Sequence, residues 1–174
     1  MIQRIIGATL LNVKVYEEVE ADKSATLQAM GVVVLSALGT GISLPGFLGL
    51  SVSISGLIVI IGSSLIGWAL LAWITYMVGT RLFSTPETKA DWGELARTLG
   101  FAQSPGILRL LGFVPVIGII IYVMASIWII VTTIVAIRQA LDYTSTWRAI
   151  SVALVSYVPY TLIMAIVGLI LPTI

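Results

Sequence analysis

Residues 24–80 contain no charged side chain, an uninterrupted run of 57. No other feature constrains the fold as strongly. About 20 apolar residues cross a bilayer as a helix, so the run is too long for one span and long enough for two. "SLPGFLGLS", residues 43–51, supplies Pro and Gly punctuation for a turn between them. The two spans are therefore expected at 26–41 and 54–77. Residues 110–137 and 149–174 are also uncharged. They are expected to hold spans at 116–137 and 149–171. Composition agrees, since 59% of residues are apolar and 10% charged, whereas a soluble domain carries about 25% charged residues. The chain reads as a single all-α integral membrane domain over 1–174.

Two charged segments look interfacial. Residues 1–23 place Ile2, Ile5, Ile6, Val13 and Tyr16 on one helical face and Arg4, Lys14, Glu17 and Glu18 on the other. An amphipathic helix of this kind lies in the membrane interface or on the protein's own cytosolic surface. The same interrupted pattern is unlike a secretory signal, which needs a continuous apolar core. A second helix is expected at 86–99. Thr85 would cap it, Pro86 suits its first position, and Glu87 favours its positive end. Trp92, Leu95 and Leu99 would form its apolar stripe, and Gly100 would end it.

The stretch "QSPGILRLLGFVP", residues 103–115, decides the topology. If it stays outside the membrane, there are four spans, and the loop 138–148 falls opposite the other basic residues. If it enters and returns through 116–137, there are five membrane segments. Arg4, Lys14, Lys23, Arg81, Lys89, Arg97, Arg138 and Arg148 then share one side. The positive-inside rule selects the second arrangement. A short membrane segment at 105–114 is expected, forming a hairpin with the next span through a turn at Pro115. Arg109 would sit one turn below the cytosolic face. It would then either snorkel to the headgroups or meet an anionic partner, with Asp91, Glu94 and Asp142 as candidates or a lipid phosphate. Snorkelling is the expectation.

No catalytic constellation is present. The chain has no Cys and no His, which removes thiolate metal sites, the usual haem ligand and the default general base. All eight acidic residues lie outside the expected spans, which argues against ion-coupled transport. A net charge of +1 gives no reason to expect nucleic acid. No catalytic, cofactor-binding or metal-binding residue is assigned. Arg109, Trp68, Trp128 and Trp92 are the candidate contacts to lipids or partners. Trp68 and Trp128 fall near mid-membrane, where they would line a lipid, quinone or pigment groove or serve as apolar bulk. Ser36 and Thr40, and Ser63 and Gly67, place small residues four apart for close helix contact. Pro159 should kink the last span.

Three blocks carry a resemblance: "VYEEVEADKSATLQA", "ELARTLGFAQSPGILRLLGFVPVIG" and "WIIVTTIVAIRQALDYTSTWRAI". Together they resemble the Yip1 family of small multi-span membrane proteins. The resemblance implies a five-segment membrane domain with a cytosolic N-terminus. Eukaryotic members bind Rab GTPases and shape secretory membranes, with a long N-terminal extension. Here about 24 residues precede the first expected span, so the chain looks more like the short prokaryotic members. The expected role is a non-enzymatic membrane protein acting by contact, organising lipids or partner proteins, with self-association included. The alternatives are an accessory subunit of a bioenergetic or photosynthetic complex and a small-solute transporter. The expected location is a prokaryotic inner membrane, with the N-terminus cytosolic and the C-terminus opposite.

Overall fold

The computed structural model describes residues 1–48, 50–51, 53–112 and 117–170. Among them there is no strand. Four helices are long and apolar enough to cross a membrane. They are α3 (Ala25–Leu48), α4 (Ile54–Arg81), α6 (Ile117–Ala140) and α7 (Thr146–Ile170). Three shorter helices, α1 (Ile2–Thr9), α2 (Val13–Ala21) and α5 (Trp92–Phe101), and one 3-10 helix (Ser104–Leu111) complete the bundle. The expected turn at Pro115 and the limits placed at 114, 116 and 171 lie outside the described residues.

Hydrogen bonds gather the charged connections at one end. The Tyr143 hydroxyl, between α6 and α7, donates to the carbonyls of Gly79 and Phe83 at the end of α4 (3.0 Å each). Thr88 reaches the Leu141 carbonyl at 3.3 Å. Gln139 reaches Glu17 of α2 at 3.4 Å. The starts of α3 and α7 and the ends of α4 and α6 therefore face the same way.

The N-terminal segment is two helices, not the single one expected over 1–23. Leu11 adopts φ 59°, and the amides of Leu11 and Asn12 bond back to Ala8 and Gly7. This is the Schellman ending that Gly usually provides. Leu in its place removed the stop signal from the sequence. Asn12 then caps α2 by accepting from the Lys14 amide. Arg4 fastens the resulting hairpin, with Glu18 at 2.7 Å and Asp22 at 2.8 Å.

Two further boundaries differ from expectation. Helix α3 continues through Pro45 to Leu48 where a turn was expected from residue 43. Pro forfeits one backbone bond, and apolar surroundings offer no water to replace the rest. Helix α5 begins at Trp92 rather than at 86. Asp91 and Glu94 form a reciprocal capping box, while Thr85 spends its hydroxyl on Thr88 at 2.9 Å. Nor is α5 a surface helix: Leu95–Phe101 are all buried, packed among α2, α3, α4 and α6.

The segment expected as a short helix over 105–114 is the 3-10 helix, and it continues the course of α5. The chain descends steadily along α3. Gly100 lies against Ala29, Gly106 against Ser36, Arg109 beside Gly39, and Gly112 against Ser43. Three successive carbonyls at the junction are paired. The Ala102 carbonyl accepts from Thr132 of α6 at 2.7 Å, the Phe101 carbonyl from Ser104, and the Gly100 carbonyl from the Gln103 amide at 3.1 Å. Irregular backbone between apolar helices requires such pairing. Ser104 thus closes the junction and does not cap the helix that follows.

The approach of the 3-10 helix to α3 is too close for side chains. A Cβ on Gly39 would stand 2.9 Å from the Gly106 carbonyl oxygen and 3.1 Å from the Leu110 amide nitrogen. Gly39→Ala is therefore expected to destabilise by roughly 1–3 kcal/mol through overpacking. Gly62, with no atom within 4 Å of a Cβ, is the control. Thermal unfolding in mild detergent should show a lower midpoint for Gly39→Ala and an unchanged or higher one for Gly62→Ala.

Candidate functional site: a polar cavity around Arg109

The descending segment delivers one charged side chain deep into the bundle. In a 3-10 helix, residues three apart align, so Gly106, Arg109 and Gly112 share the face that meets α3. Arg109 arrives opposite Thr40, fifteen residues into α3, or about 22 Å along it at 1.5 Å per residue. Among the described residues its side chain forms no ion pair, so the anionic partners expected in Asp91, Glu94 or Asp142 are not met. Asp91 and Glu94 are engaged with each other at the start of α5.

Arg109 is held by neutral groups instead. Its Nη1 donates to Thr40 Oγ1 at 2.8 Å, and its Nη2 donates to Ser126 Oγ at 2.7 Å. The guanidinium carbon lies 4.5 Å from the centre of the Tyr122 ring, within cation–π range. The buried Nε has no hydrogen-bond partner.

Arg109 lines a partly open cavity of about 150 Å³ between α3, α4, α5 and α7. Ser36, Thr40, Ser64, Gln103, Tyr157 and Tyr160 contribute polar groups to it, and no carboxylate lines it. Gly67 lets the Tyr160 hydroxyl approach α4, because a Cβ there would stand 3.0 Å from it. The small pair Ser36 and Thr40 therefore serves both to seat the 3-10 helix and to line the cavity.

The tryptophans separate. Trp68 lines the cavity, and its indole N–H donates to the Ala96 carbonyl at 2.8 Å. Trp92 donates to the Ala69 carbonyl at 3.3 Å, and Trp128 to the Thr9 carbonyl at 2.7 Å. Of the four expected contact residues, Arg109 and Trp68 converge on the cavity, while Trp92 and Trp128 pin helices elsewhere. Gln103, Tyr157 and Tyr160 were not expected there. They come from two segments, Gln103 just before the 3-10 helix and Tyr157 with Tyr160 three residues apart on α7, and no spacing in the sequence joins the two.

A second arginine anchors the element that carries the site. Arg97 of α5 is 5% exposed, and its Nε donates to the carbonyls of Val19 and Glu20 at 3.0 Å each. It thereby satisfies the negative end of α2. Beneath this latch Tyr16 is fully buried, and its hydroxyl donates to the Ala8 carbonyl at 3.1 Å. Burial pushes the Tyr16 phenol up. Glu20 is pushed up to about 7, first by partial burial and then by Asp142 and Glu94, with Arg97 opposing.

These features define an all-helical integral membrane protein with a polar cavity enclosed by its long helices. The Yip1 domain family model matches residues 14–169, and the chain belongs to that family. No curated protein and no solved structure matches it.

The Glu20 carboxyl gives the latch a pH dependence. Its folded value lies above the usual 4.5, so it is neutral in both folded and unfolded chains at low pH. Ionisation in the unfolded chain alone then erodes stability as pH rises from about 4.5 to about 7, and the loss is complete above that. Intrinsic amide exchange itself speeds up with pH, so the measure is protection relative to the unfolded chain: α2 amides should be better protected at pH 5 than at pH 8. Glu20→Gln should flatten that difference and slow exchange at pH 8. An equal pH dependence in both proteins would show that another group controls the latch.

Proposed function

We propose that this chain is a non-enzymatic membrane protein that acts by contact, organising the lipids around it. One observation carries the reading: α1 turns its apolar edge outward. Ile2, Ile6 and Leu10 are 74, 54 and 72% exposed, while Arg4 on the opposite edge is clamped to Glu18 and Asp22. Helix α1 runs from beside Gly31 of α3 to the Trp128 indole of α6. Its outward edge continues into an apolar groove lined by Leu10, Leu108, Leu111, Met124 and Trp128. An apolar helix edge fixed flat against a bundle inserts into one leaflet as a wedge.

The topology that accompanies this reading has five membrane segments. The fifth crossing is α5 and the 3-10 helix in series. Ten α residues and eight 3-10 residues rise about 15 Å and about 16 Å, close to the roughly 30 Å of the hydrocarbon core. The seven basic residues other than Arg97 and Arg109 then lie on the cytosolic side of a prokaryotic cytoplasmic membrane, Arg97 lies in the first half of the fifth crossing, and the C-terminus lies opposite.

Reconstituted vesicles test both statements. Single Cys probes at Ser24, Thr88 and Thr144 should label from one side together, and a probe at Thr144 labelling alone from the other side would overturn the topology. Wild-type protein should reduce mean vesicle diameter in proportion to its density. Replacing Ile2, Ile6 and Leu10 together by Ser should abolish that effect without lowering the unfolding midpoint. An undiminished effect in the triple variant would overturn the wedge. A stoichiometric partner complex in mild detergent would assign the chain to an accessory role instead, and saturable solute uptake would assign it to transport.

A further inference from the structure

We infer that the cavity around Arg109 is a binding site for a phosphate group, brought by an anionic phospholipid headgroup or by soluble phosphate. The charge balance within the bundle leads to this. A guanidinium carries five N–H donors and a fixed positive charge. Thr40 and Ser126 take two of the donors without neutralising the charge. Both hydroxyls are also occupied within their own helices, since Thr40 donates to the Ser36 carbonyl at 3.2 Å and Ser126 to the Tyr122 carbonyl at 2.7 Å. They form a mount for the cation, and the Nε–H remains unused. A charge held between apolar helices without a counter-ion is costly.

The chain does not supply the counter-ion. Its acidic residues are Glu17, Glu18, Glu20, Asp22, Glu87, Asp91, Glu94 and Asp142, and none lines the cavity. The anion must come from outside the chain.

The lining selects its class. Ser64, Gln103 and Tyr160 add neutral donors to the lining of the same cavity from α4, the α5 junction and α7. A guanidinium and several neutral donors lining one cavity suit an oxyanion with several acceptor oxygens. A phosphate accepts bidentately from the guanidinium and still offers oxygens to the hydroxyls. A volume of about 150 Å³ admits one such group, since a water occupies roughly 30 Å³ in the liquid. In a bilayer the nearest supply of phosphate is the lipid headgroup itself.

The site is independent of the wedge proposed for α1, whose exposed residues lie outside the cavity. The experiment uses the delipidated full chain in detergent. Phosphatidylglycerol, phosphatidylcholine and inorganic phosphate are each titrated, with native mass spectrometry and thermal unfolding as readouts. Wild type should bind phosphatidylglycerol at least tenfold more tightly than phosphatidylcholine. Arg109→Gln should lose at least tenfold for phosphatidylglycerol and little for phosphatidylcholine. This variant strands no carboxylate and leaves Thr40 and Ser126 bonded to their own helices, so its midpoint without ligand should equal or exceed that of wild type. Ser64→Phe, which fills the cavity and keeps the charge, should lose the same preference. Stabilisation by inorganic phosphate that Arg109→Gln abolishes would support the site and assign it to the soluble ion. Stabilisation by phosphatidylglycerol alone would support it and assign it to the lipid. Equal binding of both lipids by wild type, with no response to phosphate, would overturn the inference, as would phosphatidylglycerol affinity retained in both variants.

Discussion

The seat of the 3-10 helix on α3 is the contact on which the rest of the structure depends. Between apolar helices no water is present to satisfy a broken backbone, so a non-α segment must be enclosed by protein. Enclosure here needs glycine on both surfaces. Gly39 leaves room for the Gly106 carbonyl and the Leu110 amide, while Gly106 and Gly112 leave room for Ser36 and Ser43. Three residues per turn align Gly106, Arg109 and Gly112. An α-helix would rotate Arg109 and Gly112 progressively off that face. The tighter helix is thus selected by packing, and the same geometry aims Arg109 at Thr40.

The two buried arginines of this segment show what a charge needs in such surroundings. Arg97 meets the carbonyl end of α2, where the helix dipole supplies roughly half a negative charge. It locks α2 onto α5. Arg109 meets two hydroxyls and an aromatic ring, which position it. Only twelve positions of chain separate an arginine that closes a helix end from one that does not. That contrast makes Arg97 a structural anchor and the Arg109 cavity the candidate site.

The protein's outer surface follows from the same constraint. With the charged connections gathered at one end of the bundle, the remaining surface must suit lipid. It carries exposed Ile58, Ile66, Ile119, Met124, Ile130 and Leu154 along the long helices. Helix α1 extends this apolar surface sideways. Its ion pairs with α2 hold it in place while Ile2, Ile6 and Leu10 face outward.

The sequence by itself determined the membrane class and the four long spans, because charge-free runs of spanning length admit few other folds. The charge distribution also singled out residues 103–115 as the segment on which topology turns. It missed the break at Leu11, because a Leu occupies the left-handed position where Gly would announce a helix end. It placed α5 at the surface, because Leu95 and Leu99 alone read as a narrow stripe. Burial of Ala96, Arg97, Thr98 and Gly100 depends on four other helices converging there. It identified Arg109 and Trp68 as residues of interest. Only the tertiary structure decided that Arg109 meets Thr40 and Ser126 and no carboxylate, and that Ser64, Gln103 and Tyr160 line the same cavity. Those groups are far apart in the chain and share no periodicity. The close glycine packing of the 3-10 helix against α3 is what brings them together.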